Sequence, residues 1–332
     1  MNHNLPLALT MGDPSGCGPQ ITVRAWQAFK DRKDASFYVR APAHVFSGVE
    51  VAAIRTPAEA TQVFHQALPV LESGLDVQNW VTGTPDVSSA EATIQSIRDC
   101  THDVLSGQAD GLVTNPISKS LLARFGFPHP GHTEFVAELC KSADVAPRPV
   151  MMLVGGGLRV ALATIHMPLR KAIDALDERL LSDIARITWG DLKGRFGLAS
   201  PRLAFTGLNP HAGEGGMIGR EELDIINPTA AQLRFEGIDI SDARPADTVF
   251  TEALDGRFDA VIAMTHDQGL IPVKTLDLWN GVNTTLGLPI VRTSPDHGTA
   301  YDAAAAGTAR ADSLIAAIQL ARTLASNQTS KT

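Results

Sequence analysis

The sequence predicts an α/β protein built on a largely parallel sheet and divided into two lobes. Two observations carry the prediction. Short, often β-branched apolar runs alternate with longer amphipathic segments, and 332 residues exceed what one hydrophobic core usually serves. Strands are expected over residues 5–10, 36–40, 111–114, 150–154, 159–164, 202–206, 260–264 and 289–292. The clearest helix spans 176–192, where Leu180, Leu181, Ile184 and Ile187 recur at helical spacing behind Asp177 as N-cap. The last helix, over 313–325, turns Leu314, Ile315, Ile318 and Leu324 toward a core, and the polar tail after it is expected to fray. With no repeat and no low-complexity linker, the lobes are expected to be joined by chain crossings rather than a tether.

Hydrophobic residues make up 44%, charged residues 19% and aromatics 5%, the profile of an ordinary globular protein. A formal charge of -8 argues against a nucleic-acid surface, which needs clustered Lys and Arg, yet leaves room for a local basic pocket. Neither a membrane-length apolar run nor a charged head ahead of one occurs, so the expectation is a soluble, cytoplasmic chain with no membrane partner. Cys17, Cys100 and Cys140 are odd in number and lack CxxC spacing, which predicts buried thiols rather than disulfides or a thiolate metal site.

Chemistry-bearing residues gather at the predicted strand ends. Gly12-Asp13-Pro14-Ser15-Gly16-Cys17-Gly18-Pro19 follows the first strand and opens a helix, as either a tight structural turn or a ligand-lining loop. His166, His211 and His266 each follow a predicted strand and begin a Gly- or Pro-bearing loop, so all three can project at one sheet edge. They stand 45 (211 - 166) and 55 (266 - 211) residues apart. That is too far for a structural zinc module but compatible with an open three-ligand site; singly, each reads as a core or hydrogen-bonding histidine. Asp267 beside His266 is either an orienting partner or a plain loop residue.

Gly213, Gly215 and Gly216, just past His211, could admit a dinucleotide's phosphates or simply make a flexible loop. His132 and Thr133 at a predicted helix start form either an anion site or ordinary caps. Lys119, Lys274, Asn283 and Arg292, bland surface or loop residues singly, are the donors that a substrate bearing phosphate and carboxylate would need.

GDPSGCGP, TNPISK, GHTEF, VMMLVGGGLRVALATIHMPL, GLNPHAGEGG, PADTVF, AMTHDQGL and GVNTTLGLPIVRTSPDHGTAYD, in this order, resemble the 4-hydroxythreonine-4-phosphate dehydrogenase family over nearly the whole chain. Cys17, Gln20 and Asn115 depart from the pattern. The resemblance implies a two-lobed fold of the isocitrate and isopropylmalate dehydrogenase type, with the active site in the interdomain cleft. It implies a first lobe of residues 1–140 plus 255–332 and a second, dimerising lobe of 141–254. It further implies a divalent metal (zinc, magnesium, cobalt or manganese) on His166, His211 and His266, drawn from both chains of a homodimer. Substrate contacts fall on His132, Thr133, Lys274, Asn283 and Arg292, and the cofactor, NAD or NADP, is assigned to Gly213, Gly215 and Gly216. Lys274, His132 and Asp247 are the candidate acid–base groups. The implied reaction oxidises and decarboxylates 4-phosphohydroxy-L-threonine for vitamin B6 synthesis. Sugar-acid phosphates and cis-dihydrodiol dicarboxylates are alternative substrates, and a three-histidine hydrolase and an acyl-phosphate transferase are competing classes.

Overall fold

The computed structural model describes residues 5–32, 35–74, 76–142 and 146–329. Its strands are β1 Leu7–Thr10, β2 Phe37–Arg40, β3 Val51–Ala53, β4 Leu68–Leu71, β5 Leu112–Val113, β6 Val150–Gly155, β7 Leu158–Leu162, β8 Arg202–Phe205, β9 Asp239–Ile240, β10 Ala260–Ala263, β11 Val282–Leu286 and β12 Arg292–Pro295. The described residues form two units, one of residues 5–149 with 288–329 and the other of 150–287.

In the first unit the strand order is β3-β4-β2-β1-β5-β12, and every pair is parallel. Parallel strands are covered on both faces, so β1 (LALT) is buried along its whole length. Ile97 and Cys100 of the helix Ala90–Leu105 and Phe135 and Val136 of the helix His132–Leu139 pack with Ala8, Tyr38 and Leu112. Pro19 stands in the first turn of the helix Gly18–Phe29, where its missing N–H costs nothing.

In the second unit the order is β11-β6-β7-β10-β8-β9. β6 runs antiparallel to β11 and β7, and the other pairs are parallel. The helix Glu178–Gly194 begins as its sequence foretells: the Asp177 carboxylate accepts from the Leu180 N–H at 2.6 Å, and Leu181, Ile184 and Leu192 are buried.

The structure corrects the expected elements at several points. The strand placed at 289–292 is found instead at Arg292–Pro295, with Ile290 and Val291 buried ahead of it. β11 escapes a hydropathy reading because its buried interior is Thr284 and Thr285. The unexpected β3, β4 and β9 are only three, four and two residues long. The final helix does not fray after residue 325 but runs Asp312–Thr329, its hydroxyls satisfied internally: Thr323 donates to the Gln319 carbonyl and Ser326 to that of Arg322. Residues 330–332 of the expected frayed tail lie outside the described residues. The expected breaks at 140/141 and 254/255 fall instead at 149/150 and 287/288. The ladder of β11 on β6 and of β10 on β7 and β8 keeps residues 260–286 with the second unit. All three cysteines are free and buried, as expected, and burial pushes the Cys17 thiol up to about 12.

Candidate active-site residues

The three histidines follow three neighbouring parallel strands. In the order β7-β10-β8, His166 lies four residues past β7, His266 three past β10 and His211 six past β8, so all three loops leave the same sheet edge. The loop origins are tied together by hydrogen bonds: Thr164 Oγ1 donates to the Met264 carbonyl at 2.7 Å, and the Met264 N–H donates to Thr206 Oγ1 at 3.2 Å. Gln268 completes the lashing by accepting from Met264 N–H and Thr206 Oγ1 and donating to the Gly207 carbonyl. Sequence reasoning passed over Gln268, although it lies in the THDQG segment that carries His266.

The expected convergence holds for two histidines within one chain. The His166 and His266 rings stand 5.5 Å apart, centroid to centroid, at 45°. Among the described residues no three His, Cys, Asp or Glu side chains gather closely enough to hold a metal, so His211 does not complete a three-ligand set in the same chain. The donor chemistry nevertheless fits a cation. His266 Nδ1 lies 2.8 Å from Asp267 Oδ1, and His211 Nδ1 lies 3.2 Å from Glu214 Oε2. A carboxylate on Nδ1 fixes the tautomer that turns the Nε2 lone pair outward, the usual support of a metal-binding imidazole.

His211 sits on an unusual backbone. His211, Ala212, Gly213, Glu214 and Gly215 all have positive φ, forming a left-handed turn that includes three residues with a Cβ. Each such residue costs ~1–2 kcal/mol, which the surroundings must offset. Of the glycines assigned to the cofactor, Gly213 is buried against the Glu222 carboxylate, whose charge opposes a phosphate there, whereas Gly215 opens to free space. Met167, Leu169, Met217, Ile218 and Ile271 flank the histidines and are exposed.

Lys274 is half-buried on the helix His266–Leu276, two turns beyond His266. Asn283 is paired opposite Leu153 on β11, and its Oδ1 is enclosed without a partner. Asp247 is exposed in the turn before the helix Val249–Leu254.

The first unit brings the anion-binding candidates together. Arg292, buried at the start of β12, donates from Nη2 to Thr114 Oγ1 at 2.6 Å. Burial lowers its guanidinium to about 10, against the pull of the nearby Glu134 carboxylate, so it stays charged at neutral pH. His132, with Thr133, opens the helix His132–Leu139. Its Nε2 is enclosed without a partner, and burial, then Arg292 and Lys119, hold the imidazole well below its ordinary value, so it is neutral at pH 7. Exposed Lys119 passes close to Gly131, directly ahead of His132.

The Gly12–Pro19 segment proves strongly organised. Asp13, buried and raised by that burial, accepts from the Ser15 N–H at 2.9 Å and the Tyr301 hydroxyl at 2.5 Å. Two departures from the family pattern are accommodated by hydrogen bonds: Asn115 Nδ2 donates to the Thr10 carbonyl and Thr22 Oγ1, and Gln20 Nε2 to the Ala304 carbonyl.

The family model of the pyridoxal phosphate biosynthetic protein PdxA matches residues 31–321. The chain is 49% identical to a 4-hydroxythreonine-4-phosphate dehydrogenase of Methylorubrum populi, over 96% of this chain and 94% of that one, and 49% identical to that of Caulobacter vibrioides, over 97% and 98%. Among solved structures, the 4-hydroxythreonine-4-phosphate dehydrogenase of Klebsiella pneumoniae superposes with a TM-score of 0.84 at 34% identity, covering 97% of this chain and 99% of that one. A terephthalate 1,2-cis-dihydrodiol dehydrogenase of Burkholderia xenovorans reaches a TM-score of 0.66 at 28% identity, covering 96% and 98%. With its fold and nearly its whole length matched in this way, the chain belongs to the PdxA family of 4-hydroxythreonine-4-phosphate dehydrogenases.

Proposed function

We propose that the chain oxidises 4-phosphohydroxy-L-threonine with NAD or NADP, giving a 3-keto acid that decarboxylates to 3-amino-2-oxopropyl phosphate for pyridoxal 5'-phosphate synthesis. The observation that carries this reading is the placement of His166, His211 and His266 on loops from three adjacent parallel strands in a chain of this family. His166 and His266 of one chain, with His211 supplied by a second copy, would hold a divalent cation; imidazole donors suit zinc or cobalt, while magnesium and manganese are the oxygen-loving alternatives. When bound, the cation stabilises negative charge on substrate oxygen and the nicotinamide takes up hydride.

The chain's own residues do the rest. Arg292 carries its charge in a buried setting where a phosphate or carboxylate oxygen gains most from a guanidinium. Neutral His132 offers Nε2 as an acceptor for an acidic substrate proton, while Thr133 and the helix N-terminus supply further donors. The enclosed Asn283 Oδ1 is an acceptor suited to the substrate's ammonium. Lys274 is assigned to anion binding and to proton relay, ahead of exposed Asp247 and of Lys119. Cofactor phosphate contact is assigned to the open backbone at Gly215 and to Gly216, which lies between the Leu223 and Arg220 side chains.

The exposed apolar residues flanking the histidines support a homodimer with a shared active site. No helix among the described residues is long and apolar enough to cross a membrane, in keeping with a cytoplasmic enzyme.

The test is NADH absorbance after mixing metal-replete protein, NAD and 4-phosphohydroxy-L-threonine, with and without a chelator. Chelator-sensitive NADH formation is expected. Signal only with a sugar-acid phosphate or a cis-dihydrodiol dicarboxylate would replace the substrate, and silence with all three classes would remove the dehydrogenase reading.

A further inference from the structure

The left-handed turn that carries His211 is closed by backbone bonds from the Ala212 N–H to the Asn209 carbonyl, from the Met217 N–H to that of Glu214 and from the Ile218 N–H to that of Gly213, and it is held from outside as well. Its backbone is fixed from outside by one carboxylate, Glu222, which is 2% exposed. Glu222 Oε1 accepts from the Leu208 N–H at 2.8 Å and the Asn209 N–H at 2.7 Å, immediately ahead of the turn, and Oε2 accepts from Asn209 Nδ2 at 2.9 Å. The same Asn209 amide also donates to Glu221 Oε2 at 2.7 Å. Within the turn, Gly213 comes so close that a Cβ there would lie 2.6 Å from Glu222 Oε2. Behind it, Gly219 takes a φ of +141° and leaves room for the Asn209 side chain, which a Cβ would meet at 2.2 Å. Glu222 is itself the first residue of a π-helical segment, Glu222–Ile226, a rare and costly element that recurs where a side chain must be aimed. One buried carboxylate therefore fixes the entry to the turn and packs against its middle.

We propose that Glu222 is the positioning residue for His211, holding the left-handed turn and through it the imidazole in place for metal binding. The inference rests on the reading of His211 as a metal ligand. Glu222 touches neither metal nor substrate in this role; it acts through the backbone of residues 208–213. A carboxylate suits the task because it only accepts, and every group aimed at it is an N–H donor. In Glu222→Gln one side-chain oxygen becomes an NH2 that faces those donors, so the turn loses an anchor at unchanged side-chain size.

The experiment is Co2+ binding to the purified full-length protein in the absence of substrate and cofactor, followed by calorimetry and by the visible absorption of Co2+. Glu222→Gln is expected to weaken Co2+ about tenfold or more and to alter the Co2+ spectrum, with the circular dichroism of the fold retained. Adding Ala212→Gly to Glu222→Gln is expected to recover part of the affinity, because glycine adopts positive φ without help. If Glu222→Gln does not fold, Asn209→Ala, which deletes the amide bridging Glu221 and Glu222, carries the same test with the same expectation. Wild-type Co2+ affinity and spectrum in the folded variant, beside a clear loss in His211→Ala, would overturn the inference alone. Undiminished affinity in His211→Ala would instead remove His211 from the metal, and this inference with it.

Discussion

Burial sets the charge state of Arg292 and His132, the two side chains proposed to recognise the substrate's anionic groups. Arg292 is 3% exposed and keeps its charge, so replacing it removes a desolvated cation rather than a surface one. Arg292→Gln is expected to raise the Michaelis constant for the phosphorylated substrate roughly 100-fold, with a smaller change in turnover, as steady-state kinetics would show. An unaltered constant would take Arg292 out of substrate binding. His132 makes a pH prediction. Its folded-state value is depressed, first by burial and then by Arg292 and Lys119, so below the ordinary histidine range the unfolded chain takes up a proton that the folded chain refuses. Stability is then constant above that range and falls as pH drops below about 6.5, by at most ~1.4 kcal/mol per pH unit for this one group. Urea midpoints measured from pH 7.5 down to 5.5 should fall less steeply for His132→Gln than for the parent. Parallel slopes would mean the imidazole protonates in the folded state.

The left-handed turn makes opposite predictions at neighbouring positions of one element. Ala212→Gly removes a left-handed cost of ~1–2 kcal/mol against ~0.5–1 kcal/mol of added unfolded-state freedom, so a slight gain in urea midpoint is expected. Gly213→Ala places a methyl 2.6 Å from the Glu222 carboxylate and is expected to cost ~2 kcal/mol or more, a change of opposite sign in the same measurement. This element also marks where sequence reading stops. Loop positions for His166, His211 and His266 were legible because each follows an apolar strand, as were the fully buried strands β1 and β10 and the Asp177 cap. HAGEGG reads as a flexible glycine loop, since three of its six residues are glycine and nothing local reveals that His211, Ala212 and Glu214 are also left-handed. What decides the conformation is Glu222, eleven residues past His211, through bonds to backbone that a linear pattern does not display. β11 was hidden for a related reason: Thr284 and Thr285 are buried by their neighbours, not by their own hydropathy.

At the scale of the whole molecule, the decisive quantity is how many chains make one active site. His166 and His266 approach within one chain while, among the described residues, no third ligand joins them there, and Met167, Leu169, Met217, Ile218 and Ile271, near the three histidines in sequence, are exposed. If His211 reaches the pair from a second copy, His166→Ala and His211→Ala damage different halves of a shared site, and each homodimer should be inactive. A mixed dimer of the two variants then holds one site with both lesions and one with none. Random mixing makes half of the dimers mixed, each with one intact site of two, so co-refolded equal amounts should regain about a quarter of the parent activity. A pair drawn from the same chain, His166→Ala with His266→Ala, gives no such recovery, because every site in its mixed dimer carries one lesion. Recovery in the first mixture and silence in the second would assign the histidines to their chains; silence in both would place all three in one chain and require the His211 turn to close onto its own protomer.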